Sequence, residues 1–586
     1  MENNNEKEDG RRPVNITTTP LWKYVTIIRD SVDGGGNKVW KCNFCSKQVI
    51  GSYYKVKGHL LHLSGRGTTA CTKVNNELKE ELNHEEDGAL LNKLTSKVEE
   101  QQRPIVNIMG ASGTSAVFID SVDASGKRKD AAFVSEVFIK AIEEVGAENV
   151  VQVVTDNEPN FKAAGSIVEA KYPRIFWTPC VVHCVNLAFK SICEPPEKSD
   201  HFDQCIWLKN LCTNVKEIQK FVTTHDIVKS IFTKHTNLQL LSVAETRFAS
   251  HYVVAERMKE VKEGLEKMVM DSDFRVLFRT TKNPIDIKAR EYKERILNDS
   301  WWDNLDYFLK FAEPIYEMIR VGDKDAPVLH LVYDMWDTMI ERVKVHVFHH
   351  EGKDILADTS EFFDAIHKVL ESRWNKSSTP LHCLAHSLVP RFYSTRWLKG
   401  STSGFARVSP NEDEEVSNNR NDCFRRLFPN SDDFKHVRLE YGAFSSETPP
   451  FNQAHIIAAR DDEEPIVWWA NYGSSLPHLQ SLAFKLLSQP ASSSCCERNW
   501  SHYDNIQTIK RNRLTSERAK DLVYCHNNLR VMARKEESYK SGPSRYWDVG
   551  GDTFDVDVDV CEIAQLSLNE PELERAIIGV GNAIED

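Results

Sequence analysis

Two cysteines and a histidine near the amino end have the spacing of a metal site. Cys42 and Cys45 form a C-x2-C pair, and His59 follows 14 residues after the second cysteine. Two thiolates on a tight turn and an imidazole on a following helix are typical ligands of structural zinc. His62 and Cys71 are both candidates for the fourth ligand, and the short H-x2-H step to His62 favours Cys71. The alternative is a fortuitous cysteine pair beside surface histidines.

Basic residues are concentrated around this site. Residues 15–75 contain nine Lys or Arg against two Asp, although the whole chain has a net charge of −12. Any contact with nucleic acid is therefore expected to be local. Lys55 and Lys57 precede the histidine on a predicted helix, where they would face the phosphate backbone of double-stranded DNA. Their alternative role is solubility.

An acidic residue at a predicted strand end is a second candidate for chemistry. The apolar run 149–154 indicates a buried strand, and Asp156 follows it. Ligands and metals gather at the carboxyl ends of strands in open α/β sheets, but an aspartate there is equally a helix cap or turn residue. Cys180 and His183 form a C-x2-H pair, which is a weak metal signal with buried packing as its alternative.

The elements around Asp156 follow the order β-β-α-β-α-β-α, which predicts a mixed sheet with crossover helices. The predicted strands span 103–109, 116–122, 149–154 and 174–178, and the predicted helices span 130–145, 160–171 and a stretch that begins at Pro179. Beyond residue 201 the chain is predicted to be helical up to about residue 400. Its first amphipathic stripe consists of Leu208, Leu211, Val215, Ile218 and Val222.

The 586 residues suggest about three to four domains. An acidic linker is predicted over 76–102, a flexible polar segment over 400–425 and a loose acidic tail over 551–586. The sequence has neither a membrane-length apolar run nor the layout of a secretory signal, so we expect an intracellular protein without membrane contact. Its 14 cysteines then favour a metal site over disulfides.

The amino-terminal module, residues 15–75, resembles a BED-type zinc finger of plant proteins related to hAT-family transposases. The resemblance rests on Leu21-Trp-Lys-Tyr-Val25, Cys42-Asn-Phe-Cys45, Gly58-His-Leu-Leu61 and Ser64-Gly-Arg-Gly67 leading to Cys71. It implies a DNA-binding finger whose late cysteine completes the zinc site. It also makes Lys55, Lys57 and Arg66 candidate DNA contacts.

Residues 103–200 resemble the ribonuclease-H-like core of hAT transposases, through Val150-Val-Gln-Val-Val-Thr-Asp-Asn157 and Phe176-Trp-Thr-Pro-Cys-Val-Val-His183. The resemblance places Asp156 on the second carboxylate of a catalytic set that holds two Mg2+ ions. It places Cys180 and His183 on a motif associated with handling DNA. Arg247 and Phe248, in the predicted all-α insertion 201–400, are similar to a Thr-Arg-Trp motif whose aromatic ring stacks on an extruded base.

The carboxyl-terminal part resembles the hAT dimerisation region, which we place at 440–550. Ser492-Ser-Ser-Cys-Cys-Glu-Arg-Asn-Trp500 carries this resemblance together with Val467-Trp-Trp469. Glu497 corresponds to the third catalytic carboxylate. The resemblance implies a homodimer, or association with related transposase-derived proteins.

One departure from the family decides the predicted activity. Where relatives carry an Asp-Gly-Trp segment on the first core strand, this chain has the polar run 94–102. The first metal-bridging aspartate, and its strand with it, are therefore predicted to be missing. We expect no enzymatic activity, with Asp156 and Glu497 as vestigial positions, unless a coding sequence joined wrongly across 75–103 hides that strand.

The sequence thus predicts a multidomain α+β protein: a small zinc finger, an incomplete ribonuclease-H-like α/β core with a large all-α insertion, and a helical dimerisation region. The function that we expect is zinc-dependent binding of double-stranded DNA in the nucleus by a homodimer. Two alternatives remain: an active transposase that cuts and joins DNA with Mg2+, and a protein-interaction scaffold.

Overall fold

A computed structural model gives the fold of most of the chain. It describes residues 20–30, 38–63, 66–75, 78–79, 82, 105–113, 115–236, 238–240, 249–278, 284–324, 326–400, 407–497, 499 and 516–533. The predicted acidic linker and acidic tail lie outside these residues, apart from three residues at the start of the linker. The chain is a mostly helical α+β protein and divides into two compact units, one comprising Met1–Ile105 with Asp123–Ser125 and the other comprising Val106–Val122 and Gly126–Asp586.

The amino-terminal unit is a small α+β module. A 3-10 turn, Pro20–Tyr24, precedes the strands β1 (Val25–Asp30), β2 (Lys38–Cys42) and β3 (Gln48–Gly51), and helix α1 (Tyr53–Leu60) follows them. The strands form an antiparallel sheet in the order β1-β2-β3. Trp40 on β2 and Val56 and Leu60 on α1 are completely buried, so the helix packs its apolar face on the sheet.

The second unit begins with four strands and three helices in the predicted order. They are β4 (Ile105–Ser112), β5 (Ser115–Asp123), α2 (Ala131–Val145), β6 (Gln152–Thr155), α3 (Pro159–Lys171), β7 (Phe176–Pro179) and α4 (Val181–Cys193). Helix α2 begins and ends where its sequence predicts, because the Asp130 side chain accepts a hydrogen bond from the Phe133 N–H and Gly146 has a φ of 89°.

The prediction of a single mixed sheet is not met by the described strands. They form two separate sheets, a β4-β5 pair and a parallel β6-β7 pair. Helix α3 lies close against β7: a Cβ atom at Gly165 would be 2.3 Å from the Trp177 ring, so only glycine fits there.

A segment from the far end of the chain, residues 488–493, contacts both sheets. The Gly113 N–H beyond β4 donates to the Ser488 carbonyl at 2.9 Å, and the Gln152 side chain on β6 donates to the Pro490 carbonyl at 2.8 Å. The Val181 N–H donates to the Ala491 carbonyl at 3.0 Å. Backbone partners for this part of the core therefore come from the carboxyl-terminal region.

Every element that the structure describes between residues 201 and 400 is helical. The helices are α5 (Phe202–Thr224), α6 (Asp226–Thr233), α7 (Ser250–Glu260), α8 (Lys262–Met270), α9 (Ser272–Leu277), α10 (Pro284–Ile296), α11 (Asp299–Asp323), α12 (Val332–Glu351), α13 (Glu361–Ser377), α14 (Pro380–Ser387) and α15 (Thr395–Lys399), with 3-10 turns at Leu329–Leu331 and Pro390–Tyr393. The predicted stripe of α5 is buried throughout, as are Trp301, Trp302 and Trp336.

The remaining helices are α16 (Glu414–Leu427), α17 (Ser431–Ser445), α18 (Ala454–Asp462), α19 (Pro465–Tyr472), α20 (Pro477–Leu486) and α21 (Ser516–Ala533), with a 3-10 turn at Gly473–Ser475. The prediction of a flexible segment over 400–425 is wrong for the second half of that range, which lies in α16. Asp413 caps α16 by accepting the Val416 N–H at 2.9 Å, and Cys423 and Phe424 join the buried core. Of the described helices, none has the length and apolar character that a bilayer crossing requires.

Among the buried histidines in the helical part of the second unit, three have strongly lowered pKa values. Burial lowers the pKa of His330 and of His382 to about 4 and that of His386 to about 3. The His386 ring stacks on Phe392, with 4.2 Å between ring centroids, and tilts against Tyr333. These imidazoles are neutral in the fold, so below pH 6.5 the unfolded chain binds protons that the folded chain does not.

We therefore expect stability to fall as the pH drops from 7.5 to 5, and His386→Leu to reduce that fall. For an ordinary pKa of 6.5 and a folded value of about 3, His386 accounts for about 2 kcal/mol of the loss at pH 5. Urea denaturation followed by tryptophan fluorescence at both pH values measures the difference. The value at pH 7.5 corrects for lost packing, and an equal loss in both proteins would contradict the assignment.

Candidate functional site

The C-x2-C pair forms a knuckle at the end of β2. Cys42 is the last residue of that strand, and its N–H donates to the Lys47 carbonyl at 2.9 Å. The Ser46 N–H donates back to the Cys42 carbonyl at 2.9 Å, and Ser46 has a φ of 61°. This tight turn aims the Cys42 and Cys45 thiols toward one point.

Helix α1 and the loop after it bring the other two ligand side chains to the same point. His59 is buried on the last turn of α1, and the Cys71 N–H donates to the His59 carbonyl at 2.8 Å. The ligand atoms of Cys42, Cys45, His59 and Cys71 all lie within 4.8 Å of one another.

The dimensions of this group fit a tetrahedral zinc ion. The Cys42 and Cys71 sulfurs are 3.8 Å apart, and the Cys45 sulfur is 3.2 Å from His59 Nε2. Zinc–sulfur bonds of about 2.3 Å in tetrahedral geometry place two sulfurs about 3.8 Å apart, and a sulfur and a nitrogen about 3.5 Å apart. The four side chains, which we call the Cys3His cluster, could therefore hold zinc.

A second layer of contacts orients the imidazole. His59 Nδ1 lies 2.6 Å from the Thr69 carbonyl, which fixes the proton on Nδ1 and leaves Nε2 free for a metal. Burial lowers the pKa of His59, which keeps the ring neutral. Both features suit a ligand that must present a lone pair.

His62, the alternative fourth ligand, lies outside the Cys3His cluster. Its Nε2 atom is 3.0 Å from the Cys71 carbonyl, and its backbone has a φ of 57°. His62 is therefore not the fourth ligand of the cluster. It contacts the backbone of Cys71, which occupies that position.

The surroundings shift the pKa values of Cys42 and Cys45 in opposite directions. Burial raises the pKa of Cys42 to about 11. For Cys45 burial acts in the same direction, but hydrogen bonds from the Lys47 backbone and the Cys71 side chain outweigh it and lower the pKa. Cys42 is thus a protonated thiol unless a cation lies beside it, and zinc binding at neutral pH must release its proton.

The loop after α1 also places a cation on the helix surface. The Arg66 guanidinium lies 3.9 Å from the ring centroid of Tyr54, which is 53% exposed. A Cβ atom at Gly58 would be 2.4 Å from Arg66 Cβ, so the close approach of the loop requires this glycine. Lys55 Nζ donates to the Ile50 carbonyl at 3.0 Å, which ties this predicted DNA contact to β3. The exposed Tyr54 was missed by the sequence reasoning, although it directly precedes Lys55.

Asp156 lies directly beyond β6, as its sequence predicts. Its Oδ1 atom is buried and has no hydrogen-bond partner among the described residues. Burial, and then the nearby charge of Glu158, raise the pKa of Asp156 to about 6. Asp156 and Glu497 join no second group of three ligand side chains within 4.8 Å in the described part of the chain.

Cys180 and His183 have separate roles in the structure. Cys180 caps α4 by accepting the His183 N–H at 3.5 Å, and it also accepts the Ser493 N–H at 3.4 Å. Its side chain is completely buried, and the predicted contact of Cys180 with DNA stays a prediction. His183 is only partly buried, and burial lowers its pKa. Arg247 and Phe248 lie outside the described residues.

Two family models match the chain. One is described as a domain of unknown function (DUF659) and matches residues 68–218, and the other is described as the hAT family C-terminal dimerisation region and matches residues 440–529. These matches support a protein derived from an hAT-family transposase. The second match also supports a protein that dimerises. No curated protein matches the chain.

Removal of single ligands tests the fourth position of the zinc site. We expect the wild-type protein to retain one zinc ion per chain after dialysis, Cys71→Ser to lose it, and His62→Ala to retain it, because His62 lies outside the Cys3His cluster and contacts the Cys71 carbonyl. Metal content measured by mass spectrometry on the purified proteins gives the stoichiometry. Retention by Cys71→Ser together with loss by His62→Ala would reverse the assignment.

Proposed function

We propose that this protein binds double-stranded DNA in the nucleus through a zinc-stabilised BED-type finger, as a dimer derived from an hAT transposase and without transposase activity. The observation that carries the proposal is the convergence of the Cys3His cluster within a strongly basic module. A module of this size buries little core, so the metal would supply much of its folding free energy.

The surface of α1 supports DNA as the ligand. The exposed Tyr54 ring and the half-buried Arg66 guanidinium form an aromatic–cation pair, and Lys57 lies on the same helix as Tyr54. Arginine and lysine neutralise phosphates and give an affinity that falls with salt, whereas an arginine held in one orientation is also able to read a base edge. The cluster positions these side chains because it joins α1 to the loop that carries Arg66.

Binding measurements with the full-length protein test the finger. We expect Lys57→Ala/Arg66→Ala to weaken binding to random-sequence duplexes by about tenfold or more at 0.1 M salt, and to reduce the slope of log affinity against log salt by about two. Lys368→Ala, an exposed lysine of α13, is the matched control and should leave both quantities unchanged. Fluorescence anisotropy over a range of salt concentrations provides the data.

The same binding measurement in the presence of a metal chelator tests the role of zinc. Removal of the metal should abolish DNA binding, and Cys42→Ser/Cys45→Ser should behave like the chelated protein. A wild-type protein without zinc whose DNA affinity is insensitive to a strong chelator would refute the proposal.

The proposed lack of transposase activity rests on the predicted absence of the first carboxylate of the core. The stretch where relatives carry Asp-Gly-Trp is polar here, and two metal ions lacking one bridging carboxylate supply less of the electrostatic stabilisation that phosphoryl transfer needs.

A strand-cleavage assay with Mg2+ distinguishes this proposal from an active transposase. We expect no cleavage by the wild-type protein above the level of Asp156→Asn, whatever the affinity for DNA. Cleavage by the wild type that Asp156→Asn abolishes would establish an enzyme and overturn this part of the proposal.

A further inference from the structure

Helix α21 is attached to the core by one face. Ala519 and Val523 are completely buried. Asn528 accepts the Phe118 N–H of β5 at 2.9 Å and donates to the Phe118 carbonyl at 3.2 Å, and Lys520 pairs with Asp120 on the same strand. These contacts fix the rotation of α21 about its own axis.

The opposite face of α21 presents a line of apolar side chains. Its members are exposed and succeed one another by three, four and three residues: Leu522, Cys525, Leu529 and Met532. We call them the α21 stripe. Leu522 is 45%, Leu529 57% and Met532 67% exposed. At 100° per residue the stripe lies about 140° around the helix from the buried face.

This spacing is that of a helix–helix seam. Apolar residues at alternating three- and four-residue steps form the a and d positions through which two helices interlock. A single exposed leucine is ordinary on a protein surface, but an aligned set on a helix with a fixed orientation indicates an interaction site.

The partner that this stripe fits is a second copy of the chain. The match to the hAT family C-terminal dimerisation region, residues 440–529, includes Leu522, Cys525 and Leu529. Arg518 and Asp521, both exposed, put charges of opposite sign near the stripe, so two identical helices need not oppose like charges. A two-fold pair brings the same patch of both copies together and leaves no unmatched surface.

We propose that two copies of this protein pair through the α21 stripe, with α21 of one copy packed on α21 of the other. This inference rests on the dimeric state in the proposed function and specifies the surface that forms it. Exposed apolar residues on other helices, such as Leu439 on α17, directly before the matched region, lie outside this interface.

The test compares two charged substitutions in the full-length protein. Leu522→Asp/Leu529→Asp should raise the dimer dissociation constant about 100-fold or more, at roughly tenfold for each leucine that loses its burial. Leu439→Asp introduces the same chemistry at a leucine that is 62% exposed on α17, and it should leave the dissociation constant unchanged. Sedimentation equilibrium over a range of concentrations measures both.

A second measurement reports on the interface without changing the leucines. Among the described cysteines only Cys525 is exposed. Its reaction with a maleimide should therefore slow as the protein concentration rises through the dimerisation range, and Cys525→Ser identifies the signal. Equal circular dichroism and zinc content show that the leucine variants are folded.

The outcomes separate this inference from the dimeric state itself. A monomeric wild-type protein would contradict both the dimeric state and the α21 interface. A wild-type dimer that Leu522→Asp/Leu529→Asp leaves intact, with unprotected Cys525, would overturn the α21 interface and leave the dimer in place. Equal weakening by Leu439→Asp would also overturn it, because the effect would then not be specific to α21.

Discussion

Three thiols and an imidazole converge on one point in the amino-terminal unit, an arrangement that a bound cation would stabilise strongly. Ionised, the thiolates repel one another, and protonated, they form only weak hydrogen bonds while losing contact with water. In the amino-terminal unit this constraint joins the end of β2, the end of α1 and the loop that carries Arg66. The position of Arg66 against Tyr54 on the surface of this unit therefore depends on the residues that the Cys3His cluster brings together.

The second unit depends on a different constraint, which is the supply of backbone partners to its small sheets. The 488–493 segment belongs to the region matched by the hAT dimerisation model, yet its carbonyls accept hydrogen bonds from residues beside β4, from β6 and from α4. The matched region is therefore partly a component of the core. Its capacity for pairing must lie on faces that the core leaves exposed, and α21 provides one.

Local signals in the sequence predicted local structure well. The Cys42-Cys45 pair, the cap at Asp130 and the glycine at Gly146 mark turns and ends that depend on neighbouring residues only. The fourth cluster ligand remained open in the sequence because the choice depends on a contact of the Cys71 backbone with His59, which spacing does not encode. The depth at which Cys180 is buried is likewise set by packing partners, including Ser493, that are distant in sequence.

The predictions that the structure contradicts also depend on contacts between residues that are distant in sequence. The core strand β6 takes a hydrogen-bond partner from a residue more than 300 positions away. Helix α16 has a polar composition because only a few apolar residues on one face, such as Val416 and Phe424, reach the core. In α21 the buried Val523 adjoins the exposed Leu522, so composition alone does not separate the two faces. Only the contacts with β5 do so.

The 488–493 segment has a consequence for biosynthesis. Gln152 and Pro490 are 338 residues apart, so the core around β6 lacks a partner until the carboxyl-terminal region leaves the ribosome. At about 5–20 residues per second, that interval lasts roughly 15–70 s. During translation the unfinished sheets present apolar surface to chaperones, and a chain that terminates before residue 488 never completes its own core.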